Sequence, residues 1–217
     1  VFMMSIEAGD RLMRAADSEG RSLLDMRRLA DAAGGLVPLT KSMKVACELE
    51  RKPLIAENVG GLLPGKGPLA DELVVIGAHL DHLGMGAFGS REGSGKLHPG
   101  ADDNASGAAA ILMLAEAMVD EYAELGDDAA ARSILFLAFS AEESGLNGSQ
   151  HYVENAIRPL EDHAVMINFD MIGRIDNGRL AVSGTETGEG LGELLAPLFE
   201  ASPLEVITDM PAQGGSC

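Results

Sequence analysis

The chain has 217 residues, 46% of them hydrophobic, and its 16 Lys and Arg against 34 Asp and Glu give a formal net charge of −18. That length suits one or two domains with a real core. No apolar run approaches the ~18 residues that span a bilayer, and a chain this acidic, lacking a Lys/Arg cluster, is unsuited to nucleic acid or anionic membranes. Two Tyr, six Phe and no Trp leave little surface for stacking bases or sugars. The two cysteines, Cys47 and Cys217, make no disulfide framework. No signal peptide is visible. The apolar opening Val1-Phe2-Met3-Met4-Ser5 reads as mid-strand, so a longer natural N-terminus is expected.

In chain order, residues 1–5 read as a strand. Ile6–Asp17 and Ser22–Ala33 carry helical apolar spacing, separated at Ser18–Gly20, and Gly34-Gly35 with Pro38 close the section. Met43–Glu50 and Leu54–Leu63 are strand-like runs, joined across Arg51-Lys52-Pro53 as a hairpin. Leu73–Ala78 is continuously apolar, the pattern of a strand buried on both faces. A Gly-rich stretch from Leu80 to Asn104 has no periodicity, and loops that long are usually functional or disordered. Ala105–Leu125 reads as one helix, apolar nearly all round from Ala108 to Leu114, so its first half is expected to be buried. Ser133–Ser140 is a second apolar strand. Asn147–Ile157 is a helix, Ala164–Ile172 and Arg179–Ser183 are strands, Gly190–Ala201 is a helix and Leu204–Thr208 a last strand. This alternation predicts an α/β fold, a three-layer α/β/α sandwich around a mixed, mostly parallel sheet.

Polar residues gather where these strands end. His79 and Asp81 follow the first apolar strand, Asp102 and Asp103 precede the long helix, Glu142 and Glu143 follow the second apolar strand, and Asp170 sits near the end of the next. Ligands of α/β sheets bind beyond the carboxyl ends of the strands. Singly, each has an ordinary reading: a common dipeptide, an acidic helix start, a solvated turn. Asp170 is harder to dismiss, because an unpaired buried carboxylate costs several kcal/mol. Jointly, several carboxylates in one crevice call for a cation. Oxygen ligands with a His suit Zn²⁺, Mn²⁺ or Co²⁺ better than Ca²⁺ or Mg²⁺.

Four motifs carry a resemblance: His79-Leu80-Asp81; Gly100-Ala101-Asp102-Asp103-Asn104-Ala105-Ser106-Gly107; Ala141-Glu142-Glu143-Ser144-Gly145-Leu146-Asn147-Gly148-Ser149; and Asn168-Phe169-Asp170-Met171-Ile172-Gly173. In this order they resemble the co-catalytic dizinc aminopeptidases, kin of bacterial leucyl aminopeptidase, aminopeptidase Y and glutamate carboxypeptidase. The likeness runs from about Met43 to the end and implies a zinc-peptidase, phosphorylase/hydrolase-like fold. It implies that His79 and Asp170 bind one zinc, Glu143 the other, and Asp103 both. Glu142 would be the general base and Asp81 would orient His79; Asp102 is not carried over as a ligand.

A fifth ligand, a His in a Ser/Thr-Asp-His motif after a Gly-rich turn, is expected just beyond Cys217, which makes this a fragment with an incomplete second site. Residues 1–40 resemble the end of a protease-associated domain and its linker, leaving 41–217 as the peptidase domain. The implied chemistry is removal of N-terminal residues from peptides or proteins, with a metal-bound hydroxide as nucleophile, Glu142 as base, and a metal holding the substrate's free α-amine. The implied location is secreted or periplasmic.

Alternatives on the same fold are a carboxypeptidase, a single-zinc glutaminyl cyclase or a non-catalytic binding relative. Oligomeric state and side-chain preference are not readable. Gly93-Ser94-Gly95-Lys96 is not a phosphate loop, since Leu97 stands where Ser/Thr is needed. No Gly-x-Ser-x-Gly elbow exists for a serine hydrolase. His79-x-x-His82 is no zincin helix, and His82 reads as a substrate contact or a supporting or surface residue; should this chain hold two zincs tightly, His82 or His98 would be the substitute fifth ligand.

Overall fold

In the computed structural model of the protein, the residues described are 4–34, 53–87, 89–126 and 128–208, with isolated positions between 38 and 48. The chain forms two compact units, Val1–Pro53 and Leu54–Cys217.

The first unit is a pair of packed helices, α1 (Ile6–Ala16) and α2 (Leu23–Ala33). Met4 and Ser5 are not in a strand: Ser5 caps α1 by accepting the Ala8 N–H. Ser22 and Asp25 form a reciprocal capping box on α2, and Gly34, at φ 66°, ends it. Between the helices, buried Asp17 accepts hydrogen bonds from the Arg21 guanidinium and from the backbone N–H of Glu19 and Arg21. Asp10 ties the pair by accepting the Leu23 N–H.

The second unit holds a four-stranded sheet in the order β1-β3-β2-β4, from β1 (Val59–Leu63), β2 (Leu73–His79), β3 (Ser133–Phe139) and β4 (His163–Asn168). Strand β2 runs parallel to β3 and β4, while β1 is antiparallel to β3. Alternate residues of the apolar strands serve two cores. On one face Leu73, Val75, Leu135, Leu137 and Phe139 pack with Tyr152 of α4 (Asn147–Glu154). On the other, Ile76, Ala78, Ile134 and Phe136 pack with Ile111, Leu114 and Met118 of α3 (Ala105–Glu124). Helices thus cover both faces of the mixed sheet, and the α/β sandwich expected from the strand–helix alternation is present. Beyond it, β5 (Arg179–Ala181) and β6 (Glu205–Ile207) pair in parallel, with α5 (Leu191–Ala201) between them in the chain.

Three details differ from the sequence reading. Helix α3 buries one stripe, not its whole first half: Gly107 and Ile111 face the sheet, while Leu112 and Met113 are each 71% exposed. Strand β4 ends at Asn168 instead of Ile172: the Phe169 N–H still bonds the Gly77 carbonyl, but from Met171 on the N–H groups turn away from the ladder. Those of Met171, Ile172 and Gly173 go to Asn104, Ser106 and Asp102 side chains. The run from Leu54 becomes strand only at Val59; Leu54 and Ile55 are exposed, and Asn58 instead bonds the backbone of Ser140 and Gly148. The expected hairpin partner Met43–Glu50 and the final Gly214–Cys217 turn lie largely or wholly outside the described residues.

Candidate metal centre

The parallel register places the ends of three strands together: His79 is level with Phe139, and Gly77 with Asn168. His79 closes β2, Glu142 and Glu143 follow β3, and Asp170 follows β4. Asp103 is delivered by the turn before α3. That turn is held by buried Asn104, whose side chain accepts the Gly107 N–H at 3.0 Å and donates to the Phe169 carbonyl at 2.9 Å. Gly107 permits this approach, since a Cβ there would lie 2.4 Å from the Phe169 oxygen.

His79 is 1% exposed, and its Nδ1 lies 2.9 Å from the Asp81 carbonyl. A carbonyl only accepts, so Nδ1 carries the proton and Nε2 presents its lone pair. Nε2 faces Asp103 Oδ1 at 3.2 Å and Asp170 Oδ1 at 3.4 Å. Donors placed about 2.0–2.1 Å from a tetrahedral ion stand about 3.3 Å apart, so these three atoms have the spacing of zinc ligands.

A second group shares Asp103: His82 Nδ1 lies 2.5 Å from Glu143 Oε1 and 3.7 Å from Asp103 Oδ1. Neither His82 Nδ1 nor Glu143 Oε1, both buried, has a hydrogen-bond partner. The donor atoms of each group lie within 4.8 Å of one another. No ion pair from Lys or Arg reaches Asp81, Asp103, Glu142 or Glu143 among the described residues. Several converging carboxylates with two imidazoles therefore fit a divalent cation, and the nitrogen donors favour zinc over calcium or magnesium.

Glu142 belongs to neither group. Its carboxylate lies 4.0 Å from His79 Nε2. Burial pushes its pKa above the usual carboxylate range; His79 opposes this, and Glu143, Asp170 and Asp81 add to it. Asp81 serves the same turn: its carboxylate accepts the N–H of Glu142 at 3.0 Å and of Glu143 at 3.3 Å, while standing 3.9 Å from His79 Nδ1. The His79 ring is thus oriented by the backbone of Asp81, and the side chain of Asp81 shapes the glutamate turn. Asp102 points elsewhere, accepting from Gly173 N–H and Arg174 Nε, and Arg174 holds its pKa down.

Sequence reasoning brought His79, Asp81, Asp103, Glu142, Glu143 and Asp170 to this crevice, and the fold gathers all six. It gave His82, with His98, only a fallback place near the metal; the structure puts His82 beside Glu143 and Asp103 and His98 behind it. His98 instead bonds Ser90 Oγ, His151 sits beside Asn155 on α4, and His163 bonds the Tyr152 hydroxyl.

A family model, peptidase family M28, matches residues 58–215. The chain belongs to peptidase family M28. Curated relatives include a "probable leucine aminopeptidase" of Trichophyton verrucosum, 30% identical over 126 residues, or 58% of this chain and 32% of the relative. An aminopeptidase of Pseudomonas aeruginosa is 34% identical over 138 residues, 60% of this chain and 22% of that one. The M28 chain therefore spans between about a fifth and a third of such relatives. A crystal structure of LapA from Legionella pneumophila is similar with a TM-score of 0.53 and 25% identity, covering 73% of this chain and 40% of that one. A Zn-dependent exopeptidase from Parabacteroides distasonis shares the fold, with a TM-score of 0.51 at 18% identity over 70% of this chain and 56% of that one.

Proposed function

We propose that this M28 chain carries the catalytic crevice of a zinc-dependent aminopeptidase that releases residues from the N-termini of peptides or proteins. The observation that carries the reading is Asp103 shared between two donor groups, with Glu142 free beside them and belonging to neither. His79, Asp170 and Asp103 would hold one zinc, and Asp103 with Glu143 would contribute to the second. When bound, such a pair lowers the pKa of a water molecule and polarises a carbonyl. Glu142 is suited to accept that water's proton on its carboxylate and pass it to the leaving amine, because its raised pKa eases the return. Asp81 positions Glu142 by holding the N–H groups of the turn.

The names of the relatives support aminopeptidase over carboxypeptidase or glutaminyl cyclase. In the same reading, residues 41–217 form the peptidase domain and 1–40 the end of a protease-associated-like domain. The expectation of a secreted or periplasmic location rests on the family resemblance alone; among the described residues, no helix is long and apolar enough to cross a membrane. The test pairs metal analysis with hydrolysis of aminoacyl p-nitroanilides and their N-acetylated counterparts by the full-length protein. Zinc-dependent cleavage of the free-amine substrate only is expected. Cleavage of neither, with zinc bound, would favour a binding relative.

A further inference from the structure

The turn that carries both glutamates, residues 140–148, is strained and is tied down from outside. Ala141 and Leu146 hold left-handed backbone, at φ 56° and 60°, although each carries a Cβ. Such conformations persist where the surroundings over-determine them. Inside the turn, the Glu142 carbonyl accepts the N–H groups of Gly145 and Leu146, and the Ala141 carbonyl accepts that of Asn147. These bonds set the curl of the turn. They do not set its position against the sheet.

Two side chains set that position, one from each of the strands that flank β3. From the β2 side, Asp81 takes the N–H groups of Glu142 and Glu143. From the β1 side comes Asn58, the residue before Val59, where the ladder with β3 begins. Asn58 Oδ1 accepts the Ser140 N–H at 3.0 Å, and its Nδ2 donates to the Gly148 carbonyl at 2.8 Å. Ser140 leaves β3 and Gly148 lies in the first turn of α4, so one amide joins the entry of the turn to its exit. The join is tight. A Cβ on Gly148 would lie 2.1 Å from the Ser140 oxygen and 2.5 Å from Asn58 Oδ1. A primary amide suits this place, because it offers an acceptor and a donor from one short side chain.

We infer that Asn58 is a positioning residue for Glu142: by clasping the two ends of the turn, it fixes where the Glu142 carboxylate stands beside His79. The inference rests on the metallopeptidase reading, in which Glu142 moves a proton, and adds to it a residue outside the four sequence motifs. Proton transfer needs hydrogen-bond reach, and a misplacement of about 1 Å can cost on the order of 100-fold in rate.

The full-length protein is compared as wild type, Asn58→Ala and Asn58→Asp; the Asp variant keeps an acceptor for Ser140 and has no donor for Gly148. Lys66→Met is the control, since it deletes a side-chain bond to the Leu125 carbonyl at the C-terminal end of α3. With an aminoacyl p-nitroanilide, kcat of both Asn58 variants should fall by about 10–100-fold while KM stays within about twofold, the mark of an interaction made in the transition state. Zinc binding by the His79, Asp103 and Asp170 group should match wild type, and Lys66→Met should keep its kcat. In the 217-residue chain, amide protection at Glu142 and Glu143, corrected for intrinsic exchange, should drop about tenfold in both Asn58 variants, the size of one lost hydrogen bond. An unchanged kcat, a kcat loss that Lys66→Met shares, or unchanged protection at Glu142 and Glu143 overturns the inference. Should Asn58→Ala not fold, Asn58→Asp carries the same readouts. A zinc-loaded wild type that cleaves no substrate fails the aminopeptidase reading instead, and the exchange measurement then decides whether Asn58 holds the turn.

Discussion

Glu142 and Glu143 are neighbours with separate surroundings, and that separation is the sharpest feature of the crevice. Glu143 meets His82, while Glu142 lies half-buried at 4.0 Å from His79 with its pKa raised. Glu142→Ala should leave zinc stoichiometry intact and lower turnover of the full-length enzyme by roughly 10²–10⁴-fold, the range for removal of a general base. Loss of zinc in that variant, read by elemental analysis, would mean that the two glutamates have exchanged parts. The adjacent aspartates allow a parallel comparison. Asp103 faces both imidazoles, whereas Asp102 is committed to Gly173 and Arg174. Asp103→Ala should therefore weaken zinc binding by both donor groups, and Asp102→Ala should spare it, as measured by titrating metal-free protein with Zn²⁺ against a chromogenic chelator.

How α3 meets the end of β4 decides where Asp103 stands. Asn104 and Gly107 form that junction: one bonds the Phe169 carbonyl and the other leaves room for it. Gly107→Ala would place a methyl 2.4 Å from the Phe169 oxygen and 2.5 Å from Asn104 Oδ1. Relieving that overlap should cost about 1–3 kcal/mol. It should also weaken zinc binding by the His79, Asp103 and Asp170 group, by moving Asp103 away from Asp170. Gly61→Ala on β1, with nothing within 4 Å of the new methyl, is the matched control and should do neither. Thermal melts and zinc titration of the two variants check both effects.

For the chain as a whole, net charge and bound cation are linked. With a formal charge of −18, and carboxylates crowded at one sheet edge, the folded state gains from divalent cation binding. At a free zinc concentration 100 times Kd, one site contributes about 2.7 kcal/mol, so chelation should lower the Tm by roughly 5–10 °C. A Tm indifferent to chelator would argue against a resident ion.

The first unit responds to pH through Asp17, whose carboxyl is held well below the usual range, first by its hydrogen bond to the Arg21 side chain and then by the Arg21 N–H. A depressed folded pKa means stability that is present above the unfolded value near 3.9 and lost as pH falls below it. Amide protection factors in α1 and α2 of the intact chain, corrected for the intrinsic exchange rate at each pH, should therefore fall below about pH 4, and Asp17→Asn should show the lower protection already at pH 7.

What the sequence determined by itself is whatever depends on local pattern. The apolar runs Leu73–Ala78 and Ser133–Ser140 could only be strands buried on both faces, and the polar residues after them had to emerge at one edge once the strands were parallel. That places His79, Glu142, Glu143 and Asp170 together with no knowledge of coordinates. Tertiary structure decided what depends on neighbours distant in the chain. Leu112 and Met113 are as apolar as Ile111, but only the stripe turned to β2 and β3 is covered. Strand β4 stops where side chains of the Asp102–Ser106 turn capture its next N–H groups. His82 leaves β2 on an aperiodic segment, and the direction of its Nδ1 follows from Gly100 and His98, both in the loop that folds back upon it. Periodicity reports the face of an element, whereas the aim of a side chain on a loop is set by packing, which no local pattern records.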